Sequence, residues 1–210
     1  MSAEPPELKI ADYGMGNLRS VTKAFEHVGV RAVVSSDPGE LGAAAAVVLP
    51  GVGAFPEAMR NVNALGLDEV LRERASSGAP LLGICLGQQL LFQRTDEHEG
   101  AAGLGLLGGT VTALRAPKLP HIGWNLVTFE RESALTQGLG AAAAFYHVHS
   151  FACRPSDPGD VVGRGEYGEA FASIVERGNV HGVQFHPEKS SKDGLALLAN
   201  FARVCARVAA

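Results

Sequence analysis

Cysteine is scarce in this chain: three in 210 residues, at Cys85, Cys153 and Cys205. An odd, scattered set offers no disulfide framework and suits a reducing cytoplasm. Long hydrophobic runs are absent as well. The longest wholly apolar stretch, Ala43 to Leu49, falls far short of the ~20 residues a membrane-spanning helix needs, so no membrane association is expected. Positive charge is not in excess: 18 Lys plus Arg face 22 Asp plus Glu, for a net charge of −4 and a pI near 6.0. That excludes the cationic footprint of a nucleic-acid-binding surface. The amino-terminal Met-Ser-Ala-Glu-Pro-Pro-Glu is acidic and lacks the layout of a signal peptide. No repeat and no Pro/Ser/Gly-rich linker divides the chain, so residues 1–210 are expected to form a single domain. Nor is there a Gly-Lys-Ser/Thr phosphate loop, and Gly14-Met15-Gly16 lacks the third glycine of a dinucleotide fingerprint because Arg19 takes its place.

What is present is the material of a globular α/β protein. Apolar residues make up 46% and charged residues 19%, a balance that supports a packed core. Leu8–Tyr13 reads as a strand. Asn17 can cap a helix whose apolar face is Leu18, Val21, Phe25 and Val28, with Gly29 ending it. Ala32–Ser35 and Ala45–Leu49 read as strands, and Pro50-Gly51-Val52-Gly53 breaks the pattern. Ala58–Ala75 has helical spacing interrupted near Gly66. Pro80–Ile84 reads as a buried parallel strand, and Leu86–Arg94 as helix. Leu104–Phe129, Ala143–Phe151, Val161–Arg164, Ala170–Val175 and Val180–Phe185 carry strand signals, with a turn at Gly178-Asn179. Ser190–Val208 predicts a closing helix with a broad apolar face that includes Cys205. The expected architecture is a mostly parallel central sheet flanked by helices, with additional antiparallel strands.

The sharpest motif is Gly83-Ile84-Cys85-Leu86-Gly87. A strand ends and a helix begins, with glycines two residues either side of the cysteine, as in a nucleophile elbow. A thiol at a helix N-terminus is biased towards thiolate, and the amides after Cys85 can face an oxyanion. His186-Pro187-Glu188 follows a second strand. The glutamate can turn back onto one imidazole nitrogen and aim the other at a thiol, which gives nucleophile, base and orienter. A metal reading draws on His147 and His149, which share a strand face, together with His181 and His186 further on. Without CxxC or HExxH spacing, packing and hydrogen bonding is the expected use of these histidines, and no metal or cofactor is expected.

Gly83-Ile84-Cys85-Leu86-Gly87-Gln88-Gln89 together with His186-Pro187-Glu188 resembles the class I glutamine amidotransferase family. Further segments are similar to one branch of it: Tyr13–Leu18, Pro50-Gly51-Val52-Gly53-Ala54-Phe55, Pro120-His121-Ile122-Gly123-Trp124-Asn125, Val148–Phe151 and His186–Ser190. The resemblance implies that family's fold and a glutaminase acting on L-glutamine. Cys85 would be the nucleophile, His186 the base and Glu188 its orienter. Gly51, Val52, Gly53 and Leu86 would bind the oxyanion. Gln89, Glu97, His149 and Ser150 would hold substrate. The branch implies a (β/α)8-barrel cyclase as heterodimeric partner, with Asn17, Trp124, Tyr146 and Lys189 at the interface or ammonia passage. The chain departs from the family at Gln88, His147 and Phe151, where Met, Phe and Tyr are common. Alternatives at this level are another class I amidotransferase, such as the vitamin B6 glutaminase subunit, a stand-alone cysteine hydrolase, and a binding module that has kept the fold.

Overall fold

The computed structural model describes residues 7–208; the amino-terminal residues read above as carrying no targeting signal lie almost wholly outside them. In chain order the elements are β1 (Glu7–Ala11), α1 (Leu18–His27), β2 (Arg31–Ser35), α2 (Pro38–Ala43), β3 (Val47–Gly51), α3 (Phe55–Ala64), α4 (Leu67–Ser76), β4 (Leu81–Cys85), α5 (Leu86–Leu90), β5 (Phe92–Thr95), β6 (Ala101–Ala102), β7 (Leu107–Ala113), β8 (His121–Phe129), β9 (Ala142–His149), β10 (Phe151–Pro155), β11 (Val161–Tyr167), β12 (Glu169–Arg177), β13 (Val180–Val183) and α6 (Ser191–Val208).

All thirteen strands join one sheet, ordered β2-β1-β3-β4-β13-β12-β10-β7-β5-β6. The block β2-β1-β3-β4-β13 is parallel throughout. β12, β10 and β7 extend it antiparallel, β5 then pairs with β7 in parallel and β6 with β5 antiparallel, while β11, β8 and β9 form an antiparallel branch off β12. The parallel block is covered on both faces, as such strands require. On one side α2, α3 and α4 bury Leu41, Phe55, Met59, Val62, Leu67 and Leu71. On the other, α1 and α6 bury Val21, Phe25, Leu197, Leu198, Phe201 and Cys205. The Phe25 and Phe201 rings meet edge to face, with centroids 6.4 Å apart. Full burial of each such ring contributes roughly 2–3 kcal/mol.

Local chemistry explains most boundaries. The Asn17 side chain accepts from the Ser20 amide and starts α1 as expected. Gly66 adopts a left-handed conformation (φ 67°) that separates α3 from α4. The structure corrects the reading in three places. The helix expected over Leu86–Arg94 stops at Leu90. Phe92 and Arg94 pair instead with Leu107 and Thr110 of β7, and the Leu104 and Leu106 amides take the Leu90 and Leu91 carbonyls, so tertiary pairing overrides helical spacing. The break expected at Pro50 comes later, because β3 continues to Gly51, opposite Cys85. β1 pairs with β3 only as far as Val48, so the missing Pro50 N–H leaves no gap in that ladder. Helix α2 was not anticipated, although Asp37 caps it through the Glu40 amide and Pro38 opens it.

Candidate active site

β3, β4 and β13 end at the same rim of the sheet. Their register sets Gly51 beside Cys85 and Val183 beside Ile84. The turns leaving these three strands therefore converge, as ligand sites do in open α/β sheets. Cys85 sits at φ 55°, ψ −109°, a backbone conformation L-residues rarely hold, and such strain clusters at functional sites. The flanking glycines are obligatory. A Cβ on Gly87 would stand 1.7 Å from the Leu49 carbonyl oxygen, and one on Gly83 would meet the Gly87 oxygen at 2.6 Å.

His186 lines the same cavity as Cys85, and its Nδ1 is 2.9 Å from Glu188 Oε1. All three side chains are buried. Burial pushes the imidazole pKa down, but the hydrogen bonds and negative charges of Cys85 and Glu188 outweigh it and raise it to about 10. The imidazolium form is thereby favoured at neutral pH. The turn is fixed from outside as well: the His186 amide donates to the Tyr146 carbonyl and Ser190 Oγ donates to the His186 carbonyl.

These groups open into a cavity of ≈ 320 Å³ lined by Val52, Gly53, Leu86, Gln89, Glu97, His149, Ser150 and Lys189 among others. Gly51 does not line it. It lies in β3 beneath Tyr13, whose hydroxyl donates to the Pro50 carbonyl at 2.7 Å. Glu97 accepts from the Phe55 amide at 2.8 Å and so supplies the cap that Ala54 cannot give α3. Gln89 spends its Nε2 protons on the Phe151 carbonyl and Gln184 Oε1, which leaves its own oxygen as the group to offer a ligand. His149 Nδ1 faces the Phe151 carbonyl, an acceptor only, so it donates there and its Nε2 accepts from His121 Nδ1 at 3.0 Å. Burial, the larger cause, holds the His149 pKa down at about 4, so the ring is neutral and both its nitrogens are engaged.

The remaining expected positions lie outside the cavity. Asn17 caps α1. Trp124 is 56% exposed on the outer face of β8, its ring 6.2 Å from Tyr146 of β9. Sequence reasoning missed Gln184 and the Val148 carbonyl, both beside the sulfur. A main-chain carbonyl leaves no trace in a sequence, but a lone carboxamide in the apolar run before His186 was a readable signal. It missed too that His121, already inside a quoted motif, supports His149. A larger open depression of ≈ 810 Å³, bordered by Arg131, Ser133 and Glu176, carries none of these groups. Its Arg131 and Glu176 pair with each other and Ser133 donates to Glu176, and the strained cysteine makes the smaller cavity the chemical one. Among the described residues no three His, Cys, Asp or Glu side chains group to hold a metal ion.

A strained cysteine at the rim of a parallel sheet, beside a carboxylate-held histidine, is the arrangement of a thiol-dependent amidotransferase. Residues 9–205 match the family model "Glutamine amidotransferase class-I", and the chain belongs to that family. Among curated relatives, imidazole glycerol phosphate synthase subunit HisH of Moorella thermoacetica is 52% identical, over 92% of this chain and 93% of that one. The protein of the same name from Aquifex aeolicus is 50% identical, over 92% and 95%. Among solved structures, PurLQS from Thermotoga maritima superposes with a TM-score of 0.78 at 20% identity, covering 95% of this chain and 99% of that one. A crystal structure of a glutamine amidotransferase gives 0.76 at 20% identity, over 95% and 98%. At that distance these two establish shared fold.

Proposed function

We propose that this chain, as a single amidotransferase domain over residues 1–210, is the glutaminase subunit of an imidazole glycerol phosphate synthase in histidine biosynthesis. The observation that carries the chemistry is the strained Cys85 and the Glu188-held His186 lining one cavity. Relatives near 50% identity over most of their length carry the particular assignment.

Cys85 Sγ attacks the side-chain carbonyl carbon of L-glutamine. His186 passes its proton to the departing nitrogen, the C–N bond breaks, and ammonia leaves a γ-glutamyl thioester. His186 then takes a proton from water, which attacks the thioester and releases glutamate, and the sulfur leaves as thiolate. Glu188 keeps the imidazole oriented. The main-chain amides around Val52, Gly53 and Leu86 receive the oxyanion, with Gly51 as the pivot beneath them; one such donor is typically worth ~3 kcal/mol. Glu97 and the Gln89 oxygen are acceptors, suited to the substrate ammonium. His149 and Ser150 bound the carboxylate end, and the engaged imidazole of His149 leaves the Ser150 hydroxyl and main-chain groups to bind there.

Ammonia is useful only while unprotonated, so it must pass to a second site. The partner is read as a (β/α)8-barrel cyclase that uses it to form imidazole glycerol phosphate and the aminoimidazole carboxamide ribonucleotide. Ile122, Trp124 and Leu126 alternate along β8, each more than half exposed, and form an apolar stripe suited to docking that subunit. Lys189, in the cavity lining, and Asn17, at the start of α1, are read as flanking the ammonia passage. No described helix is long and apolar enough to cross a membrane, in keeping with a cytoplasmic heterodimer.

Glutamate release should be slow from the isolated chain, rise at least tenfold with the cyclase and its nucleotide substrate, and vanish in Cys85→Ala. Equal release with and without the partner would sink the partner-gated reading. Activity surviving in Cys85→Ala would remove Cys85 as nucleophile.

A further inference from the structure

Gln184 follows β13 and is fully buried. A carboxamide in such a place can offer either its oxygen or its nitrogen to a neighbour, and its hydrogen-bond partners decide which. The Phe151 carbonyl can only accept, so Gln89 must turn Nε2 towards it, at 3.1 Å. The same nitrogen then donates to Gln184 Oε1 at 3.2 Å. With its oxygen committed, Gln184 is left with Nε2 facing Cys85 Sγ at 3.9 Å. Its main-chain amide donates to the Ser173 carbonyl at 2.8 Å, which fixes the residue against β12. On another side of the sulfur stands the Val148 carbonyl at 3.8 Å, an acceptor that favours the neutral S–H.

We propose that Gln184 is a catalytic hydrogen-bond donor to Cys85, oriented through Gln89 so that its N–H opposes the Val148 carbonyl and stabilises the thiolate over the thiol. A contact of this length to a neutral sulfur is weak. It strengthens as charge collects on the sulfur and loosens when the thioester forms, so it acts on the states from which attack starts and to which the sulfur returns. The carboxamide that orients Gln184 also lines the substrate cavity, so a ligand that moves Gln89 changes the donor presented to the sulfur. The proposal rests on Cys85 being the nucleophile.

The test is the pH dependence of iodoacetamide alkylation at Cys85, followed by peptide mapping in the full-length chain, alone and with its partner. Gln184→Met removes the donor at similar volume, and Gln184→Glu keeps the acceptor for Gln89 but sets a carboxylate against the sulfur. In Gln184→Met the midpoint should move about one pH unit to the alkaline side, so the rate at any pH well below the parent midpoint falls about tenfold. Gln184→Glu should move it further. In the unmodified chain the Gln184 carboxamide proton resonances should follow the Cys85 titration and lose that response in Cys85→Ser. Alkylation midpoints unchanged in both variants, or resonances blind to the titration, overturn the proposal even if glutamate release is lost. Shifted midpoints in a chain that releases no glutamate with its partner uphold the donor and overturn the glutaminase reading instead.

Discussion

At Cys85 the cost of the site is visible in a single residue. A left-handed backbone on a residue with a side chain costs about 1–3 kcal/mol, and it is held because α5 presses against the Leu49 carbonyl with only a hydrogen at Gly87 between them. Gly87→Ala therefore has no room to relax. It should destabilise the chain by roughly 3 kcal/mol or more and abolish glutamate release; a thermal melt within a degree or two of the parent would refute this. The glycine spacing around Cys85 was legible in the sequence because the steric demand is local. Gln184 was not singled out, since its importance lies in a sulfur 99 positions away. The engagement of both His149 nitrogens was equally hidden. Residue types show what a side chain can bond, and only the assembled sheet shows which of those bonds are already taken.

Elements tie the outer face to the chemistry. β8 and β9 form an antiparallel pair whose outer side carries Ile122, Trp124 and Leu126 opposite Val148, Tyr146 and Ala144. The Tyr146 carbonyl holds the His186 amide, and the Tyr146 amide is 2.9 Å from Ser190 Oγ. On the proposed docking, a partner pressing on that face would push on the backbone that seats His186. Trp124→Ala should weaken complex formation by at least tenfold while the isolated chain keeps its melting temperature, because the ring buries little without a partner; titration calorimetry beside a thermal melt separates the two. The strand signals of β8 and β9 were readable, as were α1 from its cap and apolar stripe and α6 from its broad apolar face. The short β5 was not, since Phe92–Thr95 continues a helical spacing and becomes a strand only because β7 arrives to pair with it.

Over the whole molecule, buried histidines set the response to acid. Burial, reinforced by neighbouring imidazoles, lowers His147 to about 2 and His149 to about 4 from the ordinary 6.5. The unfolded chain takes up protons there that the folded one refuses. Their contribution is complete above pH ~6.5 and drains away as pH falls towards the folded values. Glu176 is held at about 2: burial works against its charge, but hydrogen bonds from His181, Ser133 and Arg131 prevail, so a further loss sets in below the ordinary 4.5. Melting temperature should accordingly fall from pH 7 to pH 5. His147→Phe should flatten that slope while lowering stability at pH 7, because it strands Ser173 Oγ, the partner of His147 Nε2 at 2.9 Å. Parallel curves for parent and variant would contradict this assignment. The interleaving of β13 between β4 and β12 carries a consequence for synthesis. Until nearly the last turn of the sheet has left the ribosome, the sulfur made far earlier has no base beside it. On the proposed chemistry a half-made or truncated copy hydrolyses no glutamine, and no stray ammonia is released before the molecule that would deliver it is whole.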